Sequence, residues 1–290
     1  MIMKSTREAL RIRSWAALTL AAVLTTTAPI AQAALTSYSP AGVDLVRLQN
    51  GPLDLTLTAN GNLLGNFLAS TPNKDALKDN IIAATSGGII ADAGYGTWTL
   101  TRTDFSDDGR TTYFGARAFI NYLNSTSYGG TNQWRLPGVT DTGTAGCNFS
   151  YSGTDCGYNV APDSSELARL YYSELNRIAK YDEIGISNLE SGYGIFENDG
   201  EQNSPGDLSP WFKSVRSDAY WLGRDDSSNL QKAWVFATSD GVQGSESKEE
   251  QGYVWAVTSG PVSAVPVPAP LWLLGSGLIC LARLRRTRPS

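Results

Sequence analysis

Residues 219–258, AYWLGRDDSSNLQKAWVFATSDGVQGSESKEEQGYVWAVT, hold three short aromatic runs separated by polar loops. The runs 219–222, 233–238 and 253–258 are rich in Tyr, Trp, Phe and Val, which suit a pleated, half-buried surface, and each predicts a strand. Asp240-Gly241 signals a turn after the second run, and 246–250 reads as a charged loop before the third.

Working outward, 43–48 and 53–58 alternate apolar and polar side chains in part, with Asn50-Gly51 as a turn between them. Residues 97–101 add another strand candidate, and 71–94 are too weakly patterned to place. Two helices are predicted. Ala116, Phe119, Ile120 and Leu123 form a stripe at helical spacing, with Gly129-Gly130 beyond its end. The second covers 163–180. Asp163 and Glu166 have the spacing of a capping box, and Leu167, Leu170, Tyr171, Leu175 and Ile178 make an apolar face. Strands, two helices and strands again predict an α+β domain with a mainly antiparallel sheet over 44–258.

The chain has 290 residues, with 8 Trp, 13 Tyr and 8 Phe, too much aromatic surface for a solvated chain. Histidine is absent, which removes Ser/His/Asp and Cys/His catalysis and every histidine metal site. The net charge of −5 understates the acidity, because eight of the 23 Lys and Arg lie in the two terminal segments. The region between them is near −12, which disfavours nucleic acid and anionic lipid as partners.

Both ends read as addresses. A basic stretch over 4–13, an apolar core over 15–24 and small residues at Ala31 and Ala33 make a secretory signal peptide, 1–33, cleaved after Ala33. Residues 34–43 read as a linker, and 259–264 as a second one. From 261 to 282 there is no charge, and 271–284 is nearly all apolar. As a helix that stretch spans about 21 Å, short of the ~30 Å hydrocarbon core. Val265-Pro266-Val267-Pro268-Ala269 precedes it, and Arg283, Arg285, Arg286 and Arg288 follow and would stay cytoplasmic. This unit, 265–290, resembles the PEP-CTERM sorting signal in its VPxPA form. The resemblance implies processing near the Pro motif by an exosortase, an integral-membrane transpeptidase, after export by the secretion machinery and cleavage by signal peptidase. It implies a Gram-negative bacterium that makes extracellular polysaccharide, with the protein delivered to its surface or matrix.

Cys147 and Cys156 are the only cysteines between the terminal segments, and in an exported chain they predict a disulfide. Closing so short a loop contributes roughly 2.5–3 kcal/mol in the chain-entropy account. Two acidic clusters invite a calcium reading: Asp104, Asp107 and Asp108 before Gly109, and Asp225, Asp226 and Asn229 after Trp221. Neither has the spacing of an EF-hand loop, and a solvated acidic loop is the competing reading. No carboxylate pair is singled out for acid–base work, so catalytic and cofactor-binding residues are expected to be none.

Gln133-Trp134-Arg135-Leu136-Pro137, the blocks 141–147 and 151–160, Tyr220-Trp221-Leu222-Gly223 and the ending around Trp255 together resemble the Lcl C-terminal domain family. The resemblance implies a C-type-lectin-like fold on a bacterial surface, in a family whose named member is an adhesin. The EPN, QPD and WND calcium–sugar motifs of true C-type lectins are absent. Trp134, Trp221, Trp234 and Trp255 are expected in the core rather than on a sugar, and Arg135 is either an ion-pair partner or a ligand contact. The expectation is a non-catalytic, exported surface protein that interacts with extracellular polysaccharide. The alternatives are an enzyme on the same fold, of the formylglycine-generating kind, and a structural matrix component.

Overall fold

The computed structural model describes residues 34–143, 155–190, 192–196, 205–208 and 210–263. The signal segment with Ala31 and Ala33, the cysteine Cys147 and the sorting segment with Val265, Pro266, Val267, Pro268, Ala269, Arg283, Arg285 and Arg286 lie outside these residues. No helix among the described residues is long and apolar enough to cross a membrane.

The architecture is α+β with antiparallel sheets. Strands β1 (Ala34–Tyr38), β2 (Leu45–Asn50), β3 (Leu53–Thr58) and β11 (Val257–Ser259) form a four-stranded sheet in that order. Gly51-Pro52 turns β2 into β3, pairing Asn50 with Leu53, and Gly51 takes a φ of 57° that glycine tolerates. Between β3 and the rest come α1 (Leu63–Ser70), α2 (Lys74–Ala83), the hairpin β4 (Ile89–Asp92) and β5 (Gly96–Thr99), and α3 (Tyr113–Ser125). A short α4 (Glu166–Ala168) runs on as a π-helical turn, Arg169–Glu174. The hairpin β6 (Pro205–Leu208) and β7 (Phe212–Arg216) precedes a second sheet of β8 (Ala219–Asp226), β9 (Asn229–Ala237) and β10 (Gln243–Ser247), ordered β10-β9-β8.

The stretch 219–258 forms the wall between two apolar clusters, and the period of a strand shows why. Val254 and Ala256 face one cluster, while Tyr253, Trp255 and Val257 face the other, all at 2% exposure or less. Trp221 faces the first, with Tyr220 and Leu222 in the second; Ala233 and Val235 likewise oppose Trp234 and Phe236. Successive side chains point to opposite faces, so a strand with a core on each side is apolar throughout. Each of three tryptophans solves the problem of its buried N–H by donating to a distant backbone carbonyl. Trp134 reaches Tyr128 at 2.8 Å, while Trp221 reaches Thr111 and Trp255 reaches Thr58, both at 2.9 Å. With Trp234 also buried, the tryptophans are core residues, as expected.

Several expectations need correction. The linker 34–43 is a strand through Tyr38, because the backbone of β1 pairs residue for residue with β2, from Ala34–Gln49 to Tyr38–Leu45. The folded region also runs beyond 258: β11 ends at Ser259, and Val262 is buried against the first cluster. The run 253–258 is a ladder strand only from Val257. Upstream its backbone serves β8 instead, with the Tyr253 amide donating to Ala219 and its carbonyl accepting from Trp221. The loop 246–250 is partly strand, since Glu246 pairs with Ala233.

The predicted helix 163–180 stops early. Its cap is Ser165, whose hydroxyl accepts from the Ala168 amide at 2.9 Å, while Asp163 pairs with Arg169. The turn then widens, with the Leu175 amide reaching back to Leu170, and Asn176 at φ 50° ends it. Ile178 thereby leaves the apolar face and is 40% exposed. Helices α1 and α2 fall on or beside the stretch that showed little pattern. Each is short and is capped by an asparagine, Asn62 accepting from Gly65 and Asn73 from Ala76.

Leu170 is 2% exposed, whereas Ile184 is 77% exposed. Leu170→Ala should cost about 2–5 kcal/mol by urea denaturation. Ile184→Ala should stay within about 0.5 kcal/mol.

Candidate functional site

A groove of about 700 Å³ opens between the β4 strand, helix α3 and the segment carrying Arg135 and Leu136. A second cleft of about 510 Å³ continues it and shares Ala91, Tyr113, Arg117 and Gly223 with the first. Each lies in the size range of small-molecule sites.

The far wall of the first groove comes from the tryptophan-bearing motif. The Arg135 amide and carbonyl both bond Val257, at 2.8 and 2.9 Å, which fixes this segment beside β11. From that position the Arg135 guanidinium meets Glu166 in two parallel contacts, Nη1 to Oε2 at 2.6 Å and Nη2 to Oε1 at 2.7 Å. Such a fork-to-fork pair orients both groups. Glu166 Oε2 also accepts from the Gly138 amide at 2.6 Å. This explains why Glu166 does not return to cap its own helix: a guanidinium competes for it. Arg135 remains 39% exposed along its side chain, so it is both an ion-pair partner and part of the groove wall. Leu136 lines the same groove, and the following Gly223 amide donates to Pro137 at 2.7 Å.

The near wall is α3. Its cap is Thr112, which accepts from Gly115 and donates to Asp104. The helix then places Tyr113, Arg117, Ile120 and Asn121 along one side of the groove. Arg117 donates to Asp92 at 3.2 Å and to the Ala91 carbonyl at 3.2 Å, and Asn121 donates to Thr85.

Beneath the second cleft sits Lys248, with a fully buried side chain. Its Nζ donates to both oxygens of Asp92, at 2.8 and 2.9 Å, and lies 3.0 Å from Asp225 Oδ1. Asp92 has a fully buried carboxylate that also accepts from the amides of Gly94 and Tyr95. The ammonium lies 5.6 Å from the centre of the Tyr113 ring. Burial, and then the nearby Asp225 carboxylate, push the Tyr113 hydroxyl well above the usual phenol range. Gly94 lets this assembly close: a Cβ there would come within 2.0 Å of the Leu230 carbonyl and push the β4–β5 turn away from β9.

The calcium candidates do not gather into one site. Asp104 is buried and accepts from the Trp98 indole, the Thr101 amide and the Thr112 hydroxyl. Asp107 faces Lys74 and Lys78, and Asp108 faces Arg110. Asp225 pairs with Lys248, Asp226 accepts from Ser228 and Ser245, and Asn229 accepts from the Gln231 amide. Among the described residues no three His, Cys, Asp or Glu side chains group as a metal site. Cys156 is buried and disulfide-bonded, while its expected partner Cys147 is outside the described residues.

The groove residues Asp92, Arg117 and Asn121, and the buried Lys248 beneath them, were not singled out in the sequence. The signal for Lys248 was a single basic residue inside the acidic run 246–250, which reads as solubility, and Asp92 falls in the unpatterned stretch. Comparison with known protein families, with curated proteins and with solved structures finds no match to this chain.

Replacing Lys248 by Met removes the ammonium shared by two carboxylates and leaves the fully buried Asp92 with Arg117 at 3.2 Å as its charged partner. The variant should lose about 3–5 kcal/mol of stability by chemical denaturation. A loss below about 1 kcal/mol would mean that water reaches Asp92 and relieves it.

Proposed function

We propose that this chain is an exported, non-catalytic surface or matrix protein with a C-type-lectin-like domain, and that its groove takes extracellular polysaccharide. The observation that carries the reading is the composition of the groove. Arg117, Asn121, Arg135 and Glu166 offer donors and acceptors beside the apolar side chains of Ile89 and Ile120. Sugars present that same pairing, hydroxyl rims around apolar C–H faces. The buried disulfide at Cys156 favours this reading over a formylglycine-generating type of enzyme, which needs a reactive cysteine pair. The signal peptide at 1–33 and the VPxPA-type unit at 265–290 support delivery through signal peptidase and an exosortase to the cell surface of a Gram-negative bacterium.

Two measurements test the two halves of the proposal. A glycan array probed with the exported protein, with and without calcium, should give selective binding to bacterial exopolysaccharide fragments. A blank array in both conditions leaves a structural matrix component as the better reading. Mass spectrometry of the mature protein from its native host should find the chain ending near 265–270. Pro266→Ala with Pro268→Ala should block that processing while export continues, and mature wild-type protein ending at Ser290 would overturn the sorting half.

A further inference from the structure

Resting on the reading of the groove as a polysaccharide site, we propose that its second cleft is a metal-free subsite for a neutral sugar unit, with Asp225 as hydroxyl acceptor and Arg224 as donor. The cleft is lined by Tyr113, Arg117, Arg224, Asp225 and Ser227, with Leu230 as an apolar edge. Asp225 is the one of the two Lys248 partners that reaches solvent: its side chain is 28% exposed, against none for Asp92. One of its oxygens is held by the Lys248 ammonium at 3.0 Å. The carboxylate is therefore anchored on one side and open to the cleft on the other, with lone pairs left over to accept from a ligand. Arg224 is its chain neighbour, is exposed, and makes no hydrogen bond or ion pair among the described residues, so its five donors remain for a ligand.

A fixed carboxylate beside an unpaired guanidinium matches a group that both donates and accepts, which is a sugar hydroxyl or a vicinal pair of them. Charge-assisted hydrogen bonds of this kind are the strong ones. Calcium is not needed to neutralise Asp225, because the Lys248 ammonium already lies 3.0 Å from one of its oxygens. A polyanion is disfavoured because the floor of the cleft presents a carboxylate, and of the two arginines that line it Arg117 is already paired with Asp92. Leu230, 43% exposed, gives the C–H face of the sugar an apolar contact.

The test uses the full exported protein in surface plasmon resonance against immobilised neutral polymers (an α-glucan, a β-glucan and a galactomannan) and one polyuronate, with and without EDTA. Wild type should bind at least one neutral polymer with the same affinity in EDTA. Asp225→Asn and Arg224→Ala should each weaken that binding roughly tenfold or more, the range for a hydrogen bond to a charged group. Because Asp225 also supports Lys248, its variant is checked for folding by circular dichroism. Arg224→Ala touches no structural partner and decides the matter even if Asp225→Asn is unstable. Binding that disappears in EDTA, binding to the polyuronate alone, or binding unchanged in Arg224→Ala would overturn the subsite while leaving the polysaccharide reading in place. No binding of wild type to any of the four polymers, together with a blank array, would overturn both.

Discussion

A lysine ammonium in a place that solvent does not reach sets the terms for the rest of the site. Removing such a charge from water costs several kcal/mol, and the cost is offset only if counter-charges are held at hydrogen-bond distance with little freedom. Lys248 meets that condition by drawing Asp92 from the β4–β5 hairpin and Asp225 from β8, two elements otherwise far apart in sequence. The same residue's carbonyl accepts from the Tyr113 amide at 3.0 Å, at the first turn of α3. One side chain and one peptide group therefore position the near wall, the hairpin and the floor of the groove relative to one another. The groove is the surface left where these three elements are forced together.

The tryptophans follow from a related constraint. An indole is large and apolar but carries one N–H that must not be buried unpaired. Trp134, Trp221 and Trp255 each direct that group to a carbonyl of another element, so each links apolar packing to a defined backbone position. Trp255 adds an edge-on contact with Phe212 at 5.0 Å and a tilted one with Tyr220 at 5.4 Å. Aromatic side chains committed in this way are not available to stack on a ligand. On the proposed reading, recognition in the groove falls instead to the polar residues that line it.

How much of this was legible in the sequence depended on whether a signal was local. The aromatic runs at 219–222, 233–238 and 253–258 were visible because a short stretch of aromatic and β-branched residues is a local signal. The stripe of α3 was visible for the same reason. Helix α2 was not: of its ten residues only Leu77, Lys78 and Ile81 are buried, too few to show a period. The strand at 34–38 was hidden because its stability lies in pairing with β2, a non-local partner. The helix expected over 163–180 failed at a π turn, which shifts the apolar face without changing composition. For the site, the Arg135–Leu136 segment was noticed as a motif, but its use was not legible. Arg135 becomes a wall only through Glu166, thirty-one residues away, and Lys248 becomes a buried charge only through Asp92, more than 150 residues away. Charges are read from sequence as solvated unless a partner is known, and the partners here are contacts of the tertiary fold.

The charges that line the groove stand apart from those of the surrounding surface. The region between the terminal segments carries a net charge near −12, a field that slows the approach of polyanions and acts over about a Debye length, ~10 Å at moderate salt. Arg117 and Arg135 in the groove and the buried Lys248 beneath it are each paired to a carboxylate, which leaves Arg224 unpaired in the second cleft. Such a surface discriminates through fixed hydrogen-bond directions rather than through bulk attraction. The pairs also make the walls stiff, because moving any one charge strands its partner. A ligand that fits loses less free energy to reorganisation, and one that displaces a pair pays the cost of a carboxylate or ammonium left without its partner. Fit and rejection in this groove therefore have the same origin as its fold, the requirement that every buried charge be met.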